Sequence, residues 1–129
     1  MKRTLGIGGI FFKARDRDSL LKWYADHLGI PVESWGGTMF SWPAQAEANP
    51  GAGTVWSIFK QESDYFLPST QNFMINLVVD DLDALLPVLK SEGVELAGEP
   101  VSQDFGKFAW IMDPEGNKIE LWQPPNQTT

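Results

Sequence analysis

The chain has 129 residues, 43% hydrophobic and 21% charged, which fits one globular domain with a modest core. A formal net charge of −7 argues against nucleic acid or an anionic membrane surface as partner. With no Cys and a single His, His27, one chain offers no disulfide, no thiolate metal site, no two-His-one-carboxylate site and no tetrahedral zinc built on His.

No apolar run approaches the length of a membrane span, and the N-terminus lacks the apolar core of a signal peptide. A cytoplasmic location is therefore expected. Six Trp and eight Phe are many for this length. They imply either a heavily aromatic core or a pocket lined by rings.

Leu5 to Ala14 reads as a first strand, whose three glycines weaken strand propensity but allow close approach of another backbone or a ligand. Asp16, Asp18 and Ser19 supply N-cap chemistry for a helix that runs to about Leu28. Leu20, Leu21, Tyr24 and Leu28 share one face of it. Gly29 suits its C-terminal stop, and Pro31 prevents continuation. Val32 to Trp42 reads as two short strands joined at Gly36-Gly37. Gln45 to Gly53 reads as a loop, Thr54 to Gln61 as a strand and Glu62 to Asn72 as a connector.

The pattern then restarts. Phe73 to Val79 is a strand, Asp80-Asp81 a helix start, and Leu82 to about Glu92 a helix with Leu82, Leu85, Leu86 and Leu89 on one face. Pro87 inside it removes one hydrogen bond at a cost of about 3 kcal/mol, which predicts a kink or a later start. Gly93 ends the helix, and Val94 to Leu96, Lys107 to Met112 and Lys118 to Gln123 supply three strands. Asp16 matches Asp81 and Leu20 matches Leu85, an offset of 65 residues. The reading is α+β: two strand–helix–strand–strand–strand units, at about 1–66 and 67–129, whose paired sheets share one interior.

The last hairpin carries a specific signature. In Asp113-Pro114-Glu115-Gly116-Asn117-Lys118-Ile119-Glu120-Leu121-Trp122, Pro114 presets a turn and Gly116 takes the left-handed conformation that closes it. Ile119 and Leu121 then point one way, and Lys118, Glu120 and Trp122 the other. This stretch resembles the C-terminal signature of the vicinal oxygen chelate superfamily. That group includes glyoxalase I, extradiol dioxygenases, fosfomycin-resistance enzymes and bleomycin-binding proteins. The duplicated βαβββ arrangement and the strand–Asp–helix–Leu-Gly opening, Ile10 to Gly29, extend the resemblance over nearly the whole chain. It implies two tandem βαβββ modules forming a curved mixed sheet around a cavity, in a homodimer.

In metal-using members the residue aligned with Glu120 is a ligand, and others lie seven residues before the Asp that opens each helix. Those positions hold Gly9 and Met74 here, and the strand position that mirrors Glu120 holds Ser57. Glycine cannot ligate, a thioether suits soft ions, and a neutral hydroxyl is a poor anchor. The resemblance therefore implies the fold without the metal, and no cofactor is expected.

Alternation places Gly9, Phe11 and Lys13, then Met74, Asn76 and Val78, then Lys118, Glu120 and Trp122 on the concave face. Phe108, Trp110 and Met112 share one face of the neighbouring strand. With that face turned inward, the candidate ligand-binding residues are Phe11, Met74, Asn76, Phe108, Trp110 and Trp122, with Glu120 the candidate general acid or base. Two readings of Glu120 stand. Desolvation in an aromatic pocket raises its pKa and suits acid–base chemistry or a cationic ligand. Alternatively, Lys13, Lys118 or a backbone donor holds it with no chemistry. The Trp35-Gly36-Gly37 turn and Trp42 form either a lid or a dimer contact.

Three functions follow, in order. The first is metal-independent binding of a small aromatic or cationic molecule. The second is an isomerase or lyase that uses Glu120 as general acid or base next to a carbonyl. The last is a metal-dependent enzyme of the lactoylglutathione lyase or dioxygenase type.

Overall fold

The computed structural model describes all residues except 1–2, 29, 44–46, 48–50, 52, 114–115 and 126–129. For residues 23, 24 and 26–28 it describes the backbone alone. The helix stop assigned to Gly29, the turn position assigned to Pro114, most of the loop from Gln45 to Gly53, and the side chain of His27 lie outside the described residues.

In chain order the elements are β1 (Thr4–Ala14), α1 (Arg17–Leu28), β2 (Gly37–Ser41), β3 (Gly53–Lys60), β4 (Phe73–Val79), α2 (Leu82–Ser91), β5 (Glu95–Leu96), β6 (Val101–Gln103), β7 (Gly106–Met112) and β8 (Lys118–Gln123). The strands form one curved mixed sheet of eight, ordered β2-β3-β1-β4-β8-β7-β5, with β6 also on β7. β1 and β4 meet antiparallel at its centre, while β1–β3 and β4–β8 are parallel.

Local chemistry sets the helix ends. Asp16 Oδ1 accepts from the Ser19 backbone N at 3.1 Å, which caps α1. Asp81 accepts from the Ala84 backbone N at 3.2 Å and opens α2. Gly93, at φ +82, closes α2 with Val94 N donating to Leu89 O at 3.0 Å. The helix starts at Leu82 despite Pro87 and runs through it.

Two details differ from the sequence reading. No strand forms at 32–35. Glu33 N donates to Gly37 O at 2.8 Å and Gly36 N to Glu33 O at 3.0 Å, which folds the segment into a turn, and Gly36 takes φ +97. Gly37 therefore begins a strand instead of joining two. The second departure is β6, an added strand held by the hairpin to β7.

The sheet separates two cores. On its outer face, Val79, Leu82, Leu85, Ala109 and Leu121 are buried under α2. On its inner face, Phe11, Met74 and Phe66 form one cluster, and Val78, Phe108 and Trp122 another. Register brings the inner residues into rows, because directly paired residues share a face. Val55, Gly9, Asn76 and Glu120 make one row; Ser57, Phe11 and Met74 lie in the next. The first strands of the two units pair directly: Gly9 faces Asn76, and Phe11 faces Met74.

Phe66, with 0% exposure, plugs the segment between β3 and β4 into the inner core. Phe66→Ala is expected to destabilise the chain by about 3–5 kcal/mol. Urea unfolding followed by tryptophan fluorescence reads this directly, and an unchanged midpoint would show that the segment carries no core contact.

Candidate functional site

Glu120 lies on β8 in the middle of the inner face, 3% exposed. Its strand neighbours place it: Asn76 of β4 is its parallel partner and Trp110 of β7 its antiparallel one. A carboxylate taken this far from water is stable only when donors replace the lost hydration. Three side chains do so. Asn76 Nδ2 donates to Oε1 at 2.5 Å, Trp110 Nε1 donates to Oε2 at 2.9 Å, and the Tyr65 hydroxyl donates to Oε2. Hydrogen bonds to an ionised group contribute roughly 1.5–3 kcal/mol each.

The donors are not those foreseen. Lys118 Nζ donates to Tyr65 O at 2.6 Å and sits 5.3 Å and 5.5 Å from the ring centroids of Tyr65 and Trp110. It braces the two rings that hold the carboxylate. Lys13 Nζ stands over Phe66 instead, 5.4 Å from its centroid.

Burial pushes the Glu120 carboxyl above its ordinary range, while the bonds from Tyr65, Trp110 and Asn76 and the charge of Lys118 pull the other way. Burial, then the charge of Glu120, pushes the Tyr65 hydroxyl up, so it stays a donor at neutral pH. Burial pulls the Lys118 ammonium down.

In front of this carboxylate opens a cavity of about 570 Å³. Phe11, Phe59, Tyr65, Phe108 and Trp122 supply rings to its wall, with Val55, Ser57 and Asn76 between them. Phe108 and Trp122 stack with an interplanar angle of 8°, forming a flat side. Trp35, Met39 and Phe105, each more than a third exposed, stand at the lining's outer edge. The charged side chains of the lining are Glu33 and Glu120.

The structure thus brings Phe11, Asn76, Phe108, Glu120 and Trp122 to one cavity. Met74 is 1% exposed and packs with Phe11 and Phe66 beneath the wall. Trp110 holds Glu120 without lining the cavity. Trp35 reaches the cavity edge; Trp42 instead donates to Thr54 Oγ1 and packs on Gly6. Tyr65 had no signal in the sequence, because its connector has no periodicity. The only cue was the demand itself, since a carboxylate among apolar strand positions needs donors.

Of the four positions that the metal-using pattern singles out, the three besides Glu120 offer poor ligands. A side chain on Gly9 would stand 2.7 Å from the Phe11 ring and 2.8 Å from Val55 O. Met74 is packed in the core, and Ser57 Oγ donates to Gly36 O at 3.2 Å. Among the described residues, no three His, Cys, Asp or Glu side chains cluster closely enough to hold a metal. Also among them, no helix is long and apolar enough to cross a membrane.

A curved mixed sheet with a deep inner face, a duplicated strand–helix opening and a carboxylate on the last strand defines the glyoxalase-like class. The glyoxalase-like domain family matches residues 9–122, and the chain belongs to it, within the vicinal oxygen chelate superfamily. Among solved structures the fold is similar to methylmalonyl-CoA epimerase from Mycobacterium tuberculosis, at 21% identity and a TM-score of 0.65, over 95% of this chain and 89% of that one. It is similar to a Streptomyces coelicolor methylmalonyl-CoA epimerase variant, at 15% identity and a TM-score of 0.67, over 98% and 99%. A Legionella pneumophila protein described as an NAD-dependent benzaldehyde dehydrogenase aligns at 15% identity and a TM-score of 0.59, over 91% and 98%. No curated protein matches the chain.

The raised carboxyl has a sign that can be measured. The folded chain holds the Glu120 proton more tightly than the unfolded chain. Stability from this group is therefore largest at low pH and falls as pH rises from 4.5, the ordinary value, through the raised folded value. Glu120→Gln removes that dependence. Urea midpoints across this window are expected to move in the variant's favour as pH rises, whereas a constant difference would mean the carboxyl is not shifted upward.

Proposed function

We propose that this chain is a metal-independent binding protein for a small aromatic cation, held against the rings with its charge on Glu120. One observation carries the reading: both charged groups lining a largely aromatic cavity are carboxylates, and one of them is buried. The three donors favour the ionised form of Glu120, and among the described residues Oε1 takes the Asn76 bond, against two on Oε2. A cation placed there gains charge attraction in a medium far less polar than water. Stacking on Phe108 and Trp122 adds apolar burial and cation–π attraction. The net charge of −7 draws cations and repels anions at long range. The donor chemistry at Gly9, Ser57 and Met74 supports the absence of a metal step. No cofactor takes part in this reading.

Calorimetry with benzylammonium, and with benzyl alcohol as its neutral match, tests the proposal. Binding of the cation at least about tenfold tighter, roughly 1.4 kcal/mol, is expected. That preference is expected to vanish in Glu120→Gln. Equal affinity for the two probes would remove the cation from the reading, and no binding of either would remove the reading itself.

A second reading rests on the upward push that burial gives the Glu120 carboxyl. In it, Glu120 moves a proton at the carbon next to a carbonyl, for isomerisation or lyase chemistry. Turnover that disappears in Glu120→Gln while ligand affinity persists supports it; unchanged turnover in that variant discards it.

We also propose that the chain pairs with a second copy. Ile10 and Ile75 are direct partners across β1 and β4 on the outer face, 56% and 44% exposed, with Phe73 beside them at 45%. Native mass spectrometry is expected to give the dimer mass, and a monomer at micromolar concentration would reject pairing.

A further inference from the structure

The strand β1 carries an irregularity beside the carboxylate. Ile7 pairs with Leu77, but Gly9 pairs with Asn76, so Gly8 is the extra residue of a bulge. Gly8 and Gly9 are both buried although they are consecutive. A side chain on Gly8 would stand 1.9 Å from Asn76 Oδ1, 3.0 Å from its Cγ and 3.1 Å from Val78 Cγ2. The Asn76 amide therefore fills the volume that a side chain at position 8 would take. Asn76 is 1% exposed, and its Oδ1 has no hydrogen-bond partner among the described residues. Its Nδ2 is committed to Glu120 at 2.5 Å. The amide is held in place by space and by one bond, and the space is supplied by the bulge.

We propose that Gly8 is a positioning residue for the Glu120 carboxylate, acting through Asn76. Its missing side chain lets the amide lie flat against β1 with its NH2 on Oε1. This rests on the reading of Glu120 as the ionised anchor of the cavity. A methyl group at position 8 turns the amide away and leaves the carboxylate with the Tyr65 and Trp110 donors on Oε2 alone. The titratable groups that act on Glu120 are Tyr65 from the connector and Lys118 from β8, and Glu33 from the turn before β2 lines the same cavity; the atoms nearest a side chain at position 8 belong to Asn76 and Val78 instead. A change at Gly8 therefore reaches the carboxylate by way of Asn76.

The test is a double-mutant cycle read on the carboxyl itself. The 13C carboxyl resonance of Glu120, identified by its loss in Glu120→Gln, is titrated in the wild type, Gly8→Ala, Asn76→Ala and the double variant. Gly8→Ala is expected to raise the midpoint by roughly one pH unit, about a tenfold change in proton affinity. Asn76→Ala should do the same, and the double variant should match Asn76→Ala alone, because a methyl at position 8 then has room. Refolding of the double variant where Gly8→Ala alone does not fold supports the same clash. Additive shifts, an unmoved midpoint in Gly8→Ala, or failure of both Gly8 variants to fold would overturn the proposal. Wild-type protein that binds no benzylammonium but obeys the cycle would reject the ligand reading and leave the role of Gly8 standing.

Discussion

A carboxylate removed from water needs hydrogen bonds from whatever replaces the water, and Glu120 imposes that need on three other segments of the chain. β4 answers with Asn76, β7 with Trp110, and the connector between β3 and β4 with Tyr65. Each answer has its own support. Lys118 braces the two aromatic donors, Phe66 fixes the connector beside Tyr65, and the bulge at Gly8 makes room for the amide. Trp110 comes from the same hairpin as Glu120, but Asn76 and Tyr65 lie 44 and 55 residues away, so the full site exists only when the centre of the sheet is assembled.

The same constraint shapes what the cavity recognises. Three donors favour the charged form of this carboxylate, and rings make up most of its surroundings, with Lys118 behind two of them. Burial alone would make it a reluctant anion. The donors offset that, and the balance between the two decides whether the group acts as an electrostatic anchor or trades a proton. Family membership does not choose between these roles, because one fold carries many chemistries. The choice lies in the donor set around one side chain.

Much of this was legible beforehand where the signal was local. Alternation put Phe11, Asn76, Glu120 and Trp122 on the concave face and Phe108 on one face of the neighbouring strand, and all five line the cavity. The caps at Asp16 and Asp81 and the stop at Gly93 stand where their chemistry required. Alternation also put Met74 on the concave face and Trp110 on the same face as Phe108, but a face is not a wall. Met74 lies under Phe11 and Phe66, and Trp110 lies beside the carboxylate. The segment 32–35 has strand-forming residues, yet hydrogen bonds between Glu33, Gly36 and Gly37 turn it.

The sequence by itself determined the two strand–helix openings, the last hairpin and the face on which Glu120 lies. These depend on neighbours two to four residues apart, and periodicity records such neighbours. Only the tertiary structure decided which donors reach the carboxylate, that Tyr65 is among them, and that a bulge at Gly8 accommodates Asn76. Those facts depend on register between strands and on how a loop crosses the sheet. Register is set by pairing over dozens of residues, and no local pattern carries it.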